Sequence, residues 1–179
     1  MPAFTVIDHT ELGASASSYD VTSISASYDH LYLEASVRSD QAASYQDFCH
    51  FQFNNDTTAS NYSSTWLTAS TVGSSAPISN RSTTYTWGGF INGPSALADT
   101  FSPVTMWIPN YANTANFKQV LFQSAGPNNS TTNDEWHVGM AASLWQSTAA
   151  IDQFTWLPYG GSDNFVQYST FTLYGVTGA

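Results

Sequence analysis

The chain reads LYLEASVR from Leu31 to Arg38, and this stretch decides the fold. Its apolar and polar side chains alternate, which is the period of a β-strand with one buried face. We expect one side of this strand to face a core and to carry Leu31, Leu33, Ala35 and Val37. The opposite side then carries Tyr32, Glu34, Ser36 and Arg38.

Similar alternation predicts strands over residues 4–7, 21–26, 48–54, 84–91, 105–108, 117–123, 136–142, 151–157 and 169–176. In segment 117–123 we expect Leu121 to point inward and Lys118 to lie at the entry of the strand. No segment keeps a 3.6-residue apolar period over three turns, so any helix is short, with residues 56–66 and 95–101 as the best places. These features predict an all-β fold, an antiparallel, jelly-roll-like β-sandwich.

The length of 179 residues is that of one ordinary domain, and we expect residues 1–179 to form a single sandwich. Segment 69–83 is rich in Ser, Thr, Gly and Ala, and is either a linker between two domains or, as we prefer, one long surface loop. Turn chemistry marks Asn54-Asn55-Asp56 and Gly160-Gly161. We also expect the chain to be a complete, stand-alone piece that docks on a larger assembly.

Charged residues make up only 9% of the chain, and the net charge is −10. The basic residues are Arg38, Arg81 and Lys118, too few and too scattered to bind nucleic acid or an anionic membrane surface. No apolar run is long enough to span a bilayer, and residues 1–8 do not resemble a signal peptide. We therefore expect synthesis in a cytoplasm without export through a signal peptide, and no membrane or nucleic-acid partner.

No known arrangement of catalytic or metal-binding residues is visible, so we expect no catalytic residue, no cofactor and no metal site. The thirteen acidic residues lie mostly in turns, and the four histidines, His9, His30, His50 and His137, have no ligand spacing. We interpret Asp134-Glu135-Trp136-His137 as a solvated turn entering a strand rather than a metal site. The single cysteine, Cys49, is expected to be a small buried hydrophobe on the same strand face as Phe51 and Phe53.

The chain contains six tryptophans, which in a sandwich usually belong to the core or to a subunit interface. Tyr85 and Trp87 share a strand face and are followed by Gly88-Gly89. They are the candidate platform for a ligand such as a sugar.

The C-terminal third resembles a module of phage tail-fibre and related virion surface proteins. The matching pieces are, in order, Trp145, Ala150–Leu157, Gly160–Phe165 and Ser169–Val176, which ends in Ser-Thr-Phe-Thr-Leu-Tyr-Gly-Val. Leu157 stands one place later than in the family pattern. Looser matches lie at residues 31–38, 51–56, 61–63, 108–111 and 117–118.

This resemblance implies a non-enzymatic structural protein on the outer surface of a phage virion, as a capsid decoration or a tail appendage. It also implies docking on other virion proteins as a homo-oligomer, with trimers as the first expectation. The alternative is a carbohydrate-binding module that recognises a host surface glycan. A jelly-roll hydrolase is the third and lowest-ranked hypothesis.

Overall fold

The structure is a computed structural model that describes residues 3–42, 44–70, 77–129, 136–159 and 163–178. More than half of the described residues are in strands and none of them is helical, so the predicted all-β class is confirmed. The strands are β1 (Ala3–Glu11), β2 (Tyr19–Thr22), β3 (His30–Val37), β4 (Gln46–Phe53), β5 (Tyr62–Ser70), β6 (Pro77–Thr83), β7 (Thr86–Asn92), β8 (Ser102–Pro109), β9 (Lys118–Gly126), β10 (His137–Trp145), β11 (Gln153–Pro158) and β12 (Thr170–Thr177).

The strands form two sheets of unequal size. The large sheet has eight strands in the order β1-β12-β3-β8-β9-β10-β5-β6, and the small sheet has four in the order β2-β11-β4-β7. All neighbouring strands pair antiparallel. The small sheet covers one face of the large one, and the opposite face of the large sheet is turned to solvent.

The core between the sheets is rich in aromatic rings. Phe51 of β4 stacks on Trp156 of β11 with ring centroids 5.3 Å apart. Trp156 in turn meets Phe171 of β12, in the large sheet, edge to face at 5.3 Å. These three side chains are at most 1% exposed, and truncating any one of them to alanine is expected to cost about 3–5 kcal/mol.

The predicted register is confirmed in the strands with the clearest alternation. In β3, Leu31, Leu33 and Val37 are buried whereas Glu34 is exposed. In β4 and β12, the inward side chains are Cys49, Phe51, Phe53, Phe171 and Leu173, as expected. Cys49 is a free, fully buried cysteine.

The predicted register of segment 117–123 is wrong. Leu121 is 42% exposed on the outer face, and it is Lys118, Val120 and Phe122 that point inward. Lys118 is only 1% exposed, and its Nζ donates hydrogen bonds to the carbonyl oxygens of Asn116 and Thr148, at 2.9 and 3.2 Å. These two carbonyls replace part of the hydration of the ammonium group, and burial lowers its pKa.

The helices proposed for residues 56–66 and 95–101 are absent. Residues 62–70 instead form β5, and residues 95–101 form turns. The single long loop expected over residues 69–83 is also wrong, because Pro77–Thr83 pairs with β5 as the edge strand β6. Many of the Ser and Thr residues in these two segments are therefore strand residues.

Arg38 does not point to solvent as predicted but is 9% exposed. The chain leaves β3 at Val37, and Arg38 and Ser39 then bridge to Asn92 and Phe165. The Arg38 guanidinium donates to the carbonyl oxygens of Leu97 at 2.7 Å, Thr100 at 3.0 Å, Ala96 at 3.1 Å and Pro94 at 3.2 Å. Arg38 thus fixes the 94–100 connection to the sandwich.

Two predicted backbone features have a clear physical basis. Asn54 and Asn55 both have positive φ, at 52° and 53°, which confirms the turn that follows β4. A Cβ at Gly175 would overlap the Tyr28 ring, so this side chain requires glycine there. The predicted Gly160-Gly161 turn and the acidic pair Asp134-Glu135 lie outside the described residues.

Among the described residues, no helix is long and apolar enough to cross a lipid bilayer.

Candidate interaction surfaces

The solvent side of the large sheet carries an area without charge, which we call the uncharged face. It is formed by the outward side chains of four neighbouring strands, β8, β9, β10 and β5. Those side chains are Pro103, Thr105, Trp107 and Pro109 of β8, Gln119, Leu121, Gln123 and Ala125 of β9, Val138, Met140, Ala142 and Leu144 of β10, and Ser63, Thr65, Leu67 and Ala69 of β5.

Large apolar groups dominate the uncharged face. Val138 is 58% exposed, Leu67 56%, Met140 49% and Leu121 42%. The strand register brings Leu67 beside Met140, and Met140 beside Gln123. Isolated exposed apolar residues are ordinary, but a contiguous group on a flat sheet is typical of a surface that another molecule covers.

Two shallow grooves follow the uncharged face. The first has a volume of about 500 Å³ and lies between Leu67, Gln123, Val138 and Met140. The second has a volume of about 430 Å³ and lies around Leu121, next to Trp107 and Leu144. Both grooves run between rows of outward side chains, so protruding side chains of a partner can fit into them.

An aromatic row continues the uncharged face toward β1. Trp107 lies 6.3 Å from Tyr32, and Tyr32 lies 6.2 Å from Tyr174. Phe4, which is 56% exposed, packs edge to face on both tyrosines at 5.8 and 5.9 Å. This end is not free of charge, because the Tyr32 hydroxyl donates to Glu34 at 3.3 Å.

A second candidate surface lies on the outer side of the small sheet, which we call the aromatic cluster (Phe48, His50, Tyr85, Trp87 and Tyr159). The structure places the predicted pair Tyr85 and Trp87 here, with their ring centroids 5.8 Å apart. Tyr159 is 39% exposed, and Phe48, Tyr85 and Trp87 are half-buried.

His50 occupies the centre of the aromatic cluster. It stacks on Tyr85 with centroids 3.6 Å apart, and it meets Trp87 and Tyr159 edge to face at 4.7 and 4.9 Å. Its side chain is only 4% exposed, and burial lowers its pKa from 6.5 to about 3, so the ring is neutral at physiological pH. Sequence reasoning did not place His50 or Tyr159 at this site, because His50 lies on β4 and Tyr159 directly follows β11, both distant in the chain from Trp87.

Buried hydroxyl groups hold the strand that carries Trp87. Ser64 of β5 accepts a hydrogen bond from the Trp87 backbone N–H at 3.0 Å. Ser143 of β10 donates to the Trp87 carbonyl oxygen at 3.3 Å, and its hydroxyl oxygen lies 3.1 Å from that of Ser64. These bonds attach the edge of the small sheet to the large sheet and fix the position of the aromatic cluster.

Asp47 is a buried carboxylate on the inner side of β4. It is 0% exposed, and neither of its oxygens has a hydrogen-bond partner. Burial raises its pKa from 3.8 to about 7, and the nearby carboxylates of Asp163 and Asp40 add to the rise. The Ser39 hydroxyl and the Phe48 N–H oppose it without reaching hydrogen-bonding geometry.

The histidines are dispersed in the structure as they are in the sequence. A hydrogen bond of 2.8 Å joins His9 Nδ1 to the Thr172 hydroxyl, and His30 Nδ1 accepts one of 3.1 Å from the Asn110 backbone N–H. His137 is 6% exposed with both ring nitrogens unpaired, and burial lowers its pKa to about 4. The described part of the chain contains no group of three or more His, Cys, Asp or Glu residues that would hold a metal ion.

Comparison of the chain with known protein families, with curated proteins and with solved structures finds no match.

Proposed function

We propose that this protein is a non-enzymatic structural component of the outer surface of a phage virion, either a capsid decoration or a tail appendage. It docks through the uncharged face on an uncharged, partly apolar surface of another virion protein. The resemblance of the C-terminal third to virion surface modules supports the virion setting. Docking is supported most strongly by the exposed apolar side chains of the uncharged face and by the absence of charged side chains among them.

The distribution of charge favours a partner of this chemistry. The chain has a net charge of −10, yet four adjacent strands present no charged side chain on their solvent side. A strongly basic partner would find a carboxylate only at the border, where Glu34 lies beside Thr105. An uncharged protein surface instead buries the exposed Leu, Val and Met side chains without desolvating an ion.

The size of the uncharged face suits a modest protein interface. Four strands spaced about 4.8 Å apart, with about seven residues each, cover roughly 20 Å by 20 Å. This is roughly half of the 800 Å² per partner of an ordinary specific interface and is the size of a small one. We further propose that the protein acts as a closed homo-oligomer, with a trimer as the first expectation, because symmetric assembly is the rule for such proteins.

Immunogold electron microscopy tests the virion setting. Antibody against the purified protein is expected to label the outside of intact phage particles produced by cells that express it. Label that stays in the particle-free supernatant would overturn the proposal.

A salt series tests the character of the contact. Because the uncharged face offers no charge pair to screen, association with particles should change little between low salt and about 0.5 M salt. Release by modest salt would show that charged groups hold the complex and would contradict docking through this face.

A further inference from the structure

We propose that the aromatic cluster is a binding site for a neutral pyranose unit of a polysaccharide. The site goes beyond the proposed docking function and uses different residues on the opposite sheet. Either proposal can therefore fail without the other.

The rings present a hydrophobic surface that is already in place. Tyr159 is 39% exposed, and Tyr85 and Trp87 are half-buried, yet each ring touches His50. Trp87 and Tyr159 also contact each other at 5.3 Å with an angle of 32° between their planes. Rings held by several neighbours lose little freedom when a ligand stacks on them.

The filled centre of the cluster decides between two ligand classes. A cage for an ammonium ion needs rings that surround an empty space. Here the imidazole of His50 fills that space, 3.6 to 4.9 Å from the centroids of Tyr85, Trp87 and Tyr159. What remains accessible is the outer surface of the rings, which suits a flat apolar face such as that formed by the C–H groups of a pyranose.

The cluster also lacks the charges that a charged sugar would need. Its five side chains are Phe, His, Tyr, Trp and Tyr, and His50 is neutral at physiological pH. Polar partners for sugar hydroxyls are present at the rim. They are the hydroxyl groups of Tyr85 and Tyr159, whose rings pack on His50 with centroids 3.6 and 4.9 Å from its own.

Affinity electrophoresis in native gels tests the site. The gels contain one soluble polymer at a time: dextran, galactomannan, soluble starch or hydroxyethylcellulose as neutral probes, and alginate as an anionic probe. We expect at least one neutral polymer to retard the wild-type protein, and choline chloride not to reverse the retardation. Retardation by alginate alone, reversal by choline, or unchanged mobility in all neutral polymers would overturn the proposal.

Substitutions then assign the binding to these rings. Tyr85→Ala and Tyr159→Ala should each weaken retardation by about tenfold, the size expected for the loss of one stacked ring. Tyr85→Phe keeps the ring but loses the hydroxyl, so it should bind more weakly than wild type and more tightly than Tyr85→Ala, which separates lost stacking from a lost hydrogen bond. Leu121→Ser, on the uncharged face, should bind as wild type. Wild-type retardation of both alanine variants would contradict the assignment.

Discussion

Asp47→Asn is expected to stabilise the protein above neutral pH and to change its stability little in acid. Asp47 is fully buried with both oxygens unpaired, so its charged form is destabilised in the folded state. Its pKa rises from 3.8 to about 7 on folding. The contribution of Asp47 to stability is therefore fully present below pH 3.8 and is lost as the pH rises through 7.

The size of the effect follows from these two pKa values. Each unit of pKa corresponds to about 1.4 kcal/mol, so the difference between 3.8 and about 7 amounts to roughly 4 kcal/mol above pH 8. Asparagine has nearly the shape of the protonated carboxyl and never ionises. The variant should thus exceed the wild-type free energy of unfolding by up to about 4 kcal/mol at pH 8, and the difference should shrink to near zero at pH 4.

Urea unfolding monitored by tryptophan fluorescence at pH 4, 5, 6, 7 and 8 measures this difference. Asp152→Asn, which removes an exposed carboxylate, is the matched control and should follow the wild-type curve at every pH. If Asp47→Asn also runs parallel to the wild type from pH 4 to 8, then Asp47 is not a destabilised buried carboxylate, and the reasoning is refuted.

Three further predictions concern the fold. His137 is buried, and its pKa falls from 6.5 to about 4, so its contribution to stability is present above pH 6.5 and is lost as the pH falls through 4. The free energy of unfolding of the wild type should therefore fall by about 3 kcal/mol more than that of His137→Gln between pH 7 and 3, measured by urea unfolding. An equal fall in both proteins would count against this role of His137. Gly126→Ala places a Cβ against the His137 ring and should cost about 1–3 kcal/mol, measured by thermal unfolding. Gly13→Ala, with nothing within 4 Å, should be nearly neutral, and equal effects of the two substitutions would contradict the packing. Arg38→Met removes the donors to four carbonyls of the 94–100 connection and should lower the free energy of unfolding by about 2–4 kcal/mol. Arg81→Met, at an exposed position, is the control and should have little effect. Hydrogen exchange in residues 94–100 should become faster in Arg38→Met, and unchanged protection there would contradict the role of Arg38.

The inner face of a strand was predicted best where only every second residue is apolar. In β3 and β12 the alternation assigns the inner face without ambiguity, as at Leu33 and Leu173. In β9 both parities carry apolar groups, because Leu121 stands between Val120 and Phe122. Lys118 favoured the wrong assignment of the inner face, since lysine is rarely buried and was therefore placed outside.

The segment from β5 to β6 was missed for a related reason. Ser and Thr dominate both strands, and β5 is apolar at the consecutive positions Trp66 and Leu67, so neither period stands out. The inner hydroxyl of Ser64 is satisfied by β7, which is visible only in the folded protein. Tertiary hydrogen bonds, and not local preference, place these residues in strands.

The candidate sites, too, were predicted only as far as a single segment of the chain determines them. Tyr85 and Trp87 were identified from one strand, but His50 and Tyr159 join them through the pairing of β4 with β7 and of β11 with β4. The uncharged face likewise depends on the order β8-β9-β10-β5, which brings together strands that are distant in the chain. Strand order follows from long-range pairing and cannot be read from a local pattern.

Binding of the protein to virions depleted of it, measured by co-sedimentation for a pair of matched variants, tests docking through the uncharged face most directly. Leu121 and Leu97 are 42% and 40% exposed, but only Leu121 lies on the uncharged face. Leu121→Glu buries a carboxylate in the proposed contact and should weaken binding by about tenfold or more. Leu97→Glu adds the same charge elsewhere and should bind as the wild type. Equal binding by both variants would contradict docking through the uncharged face.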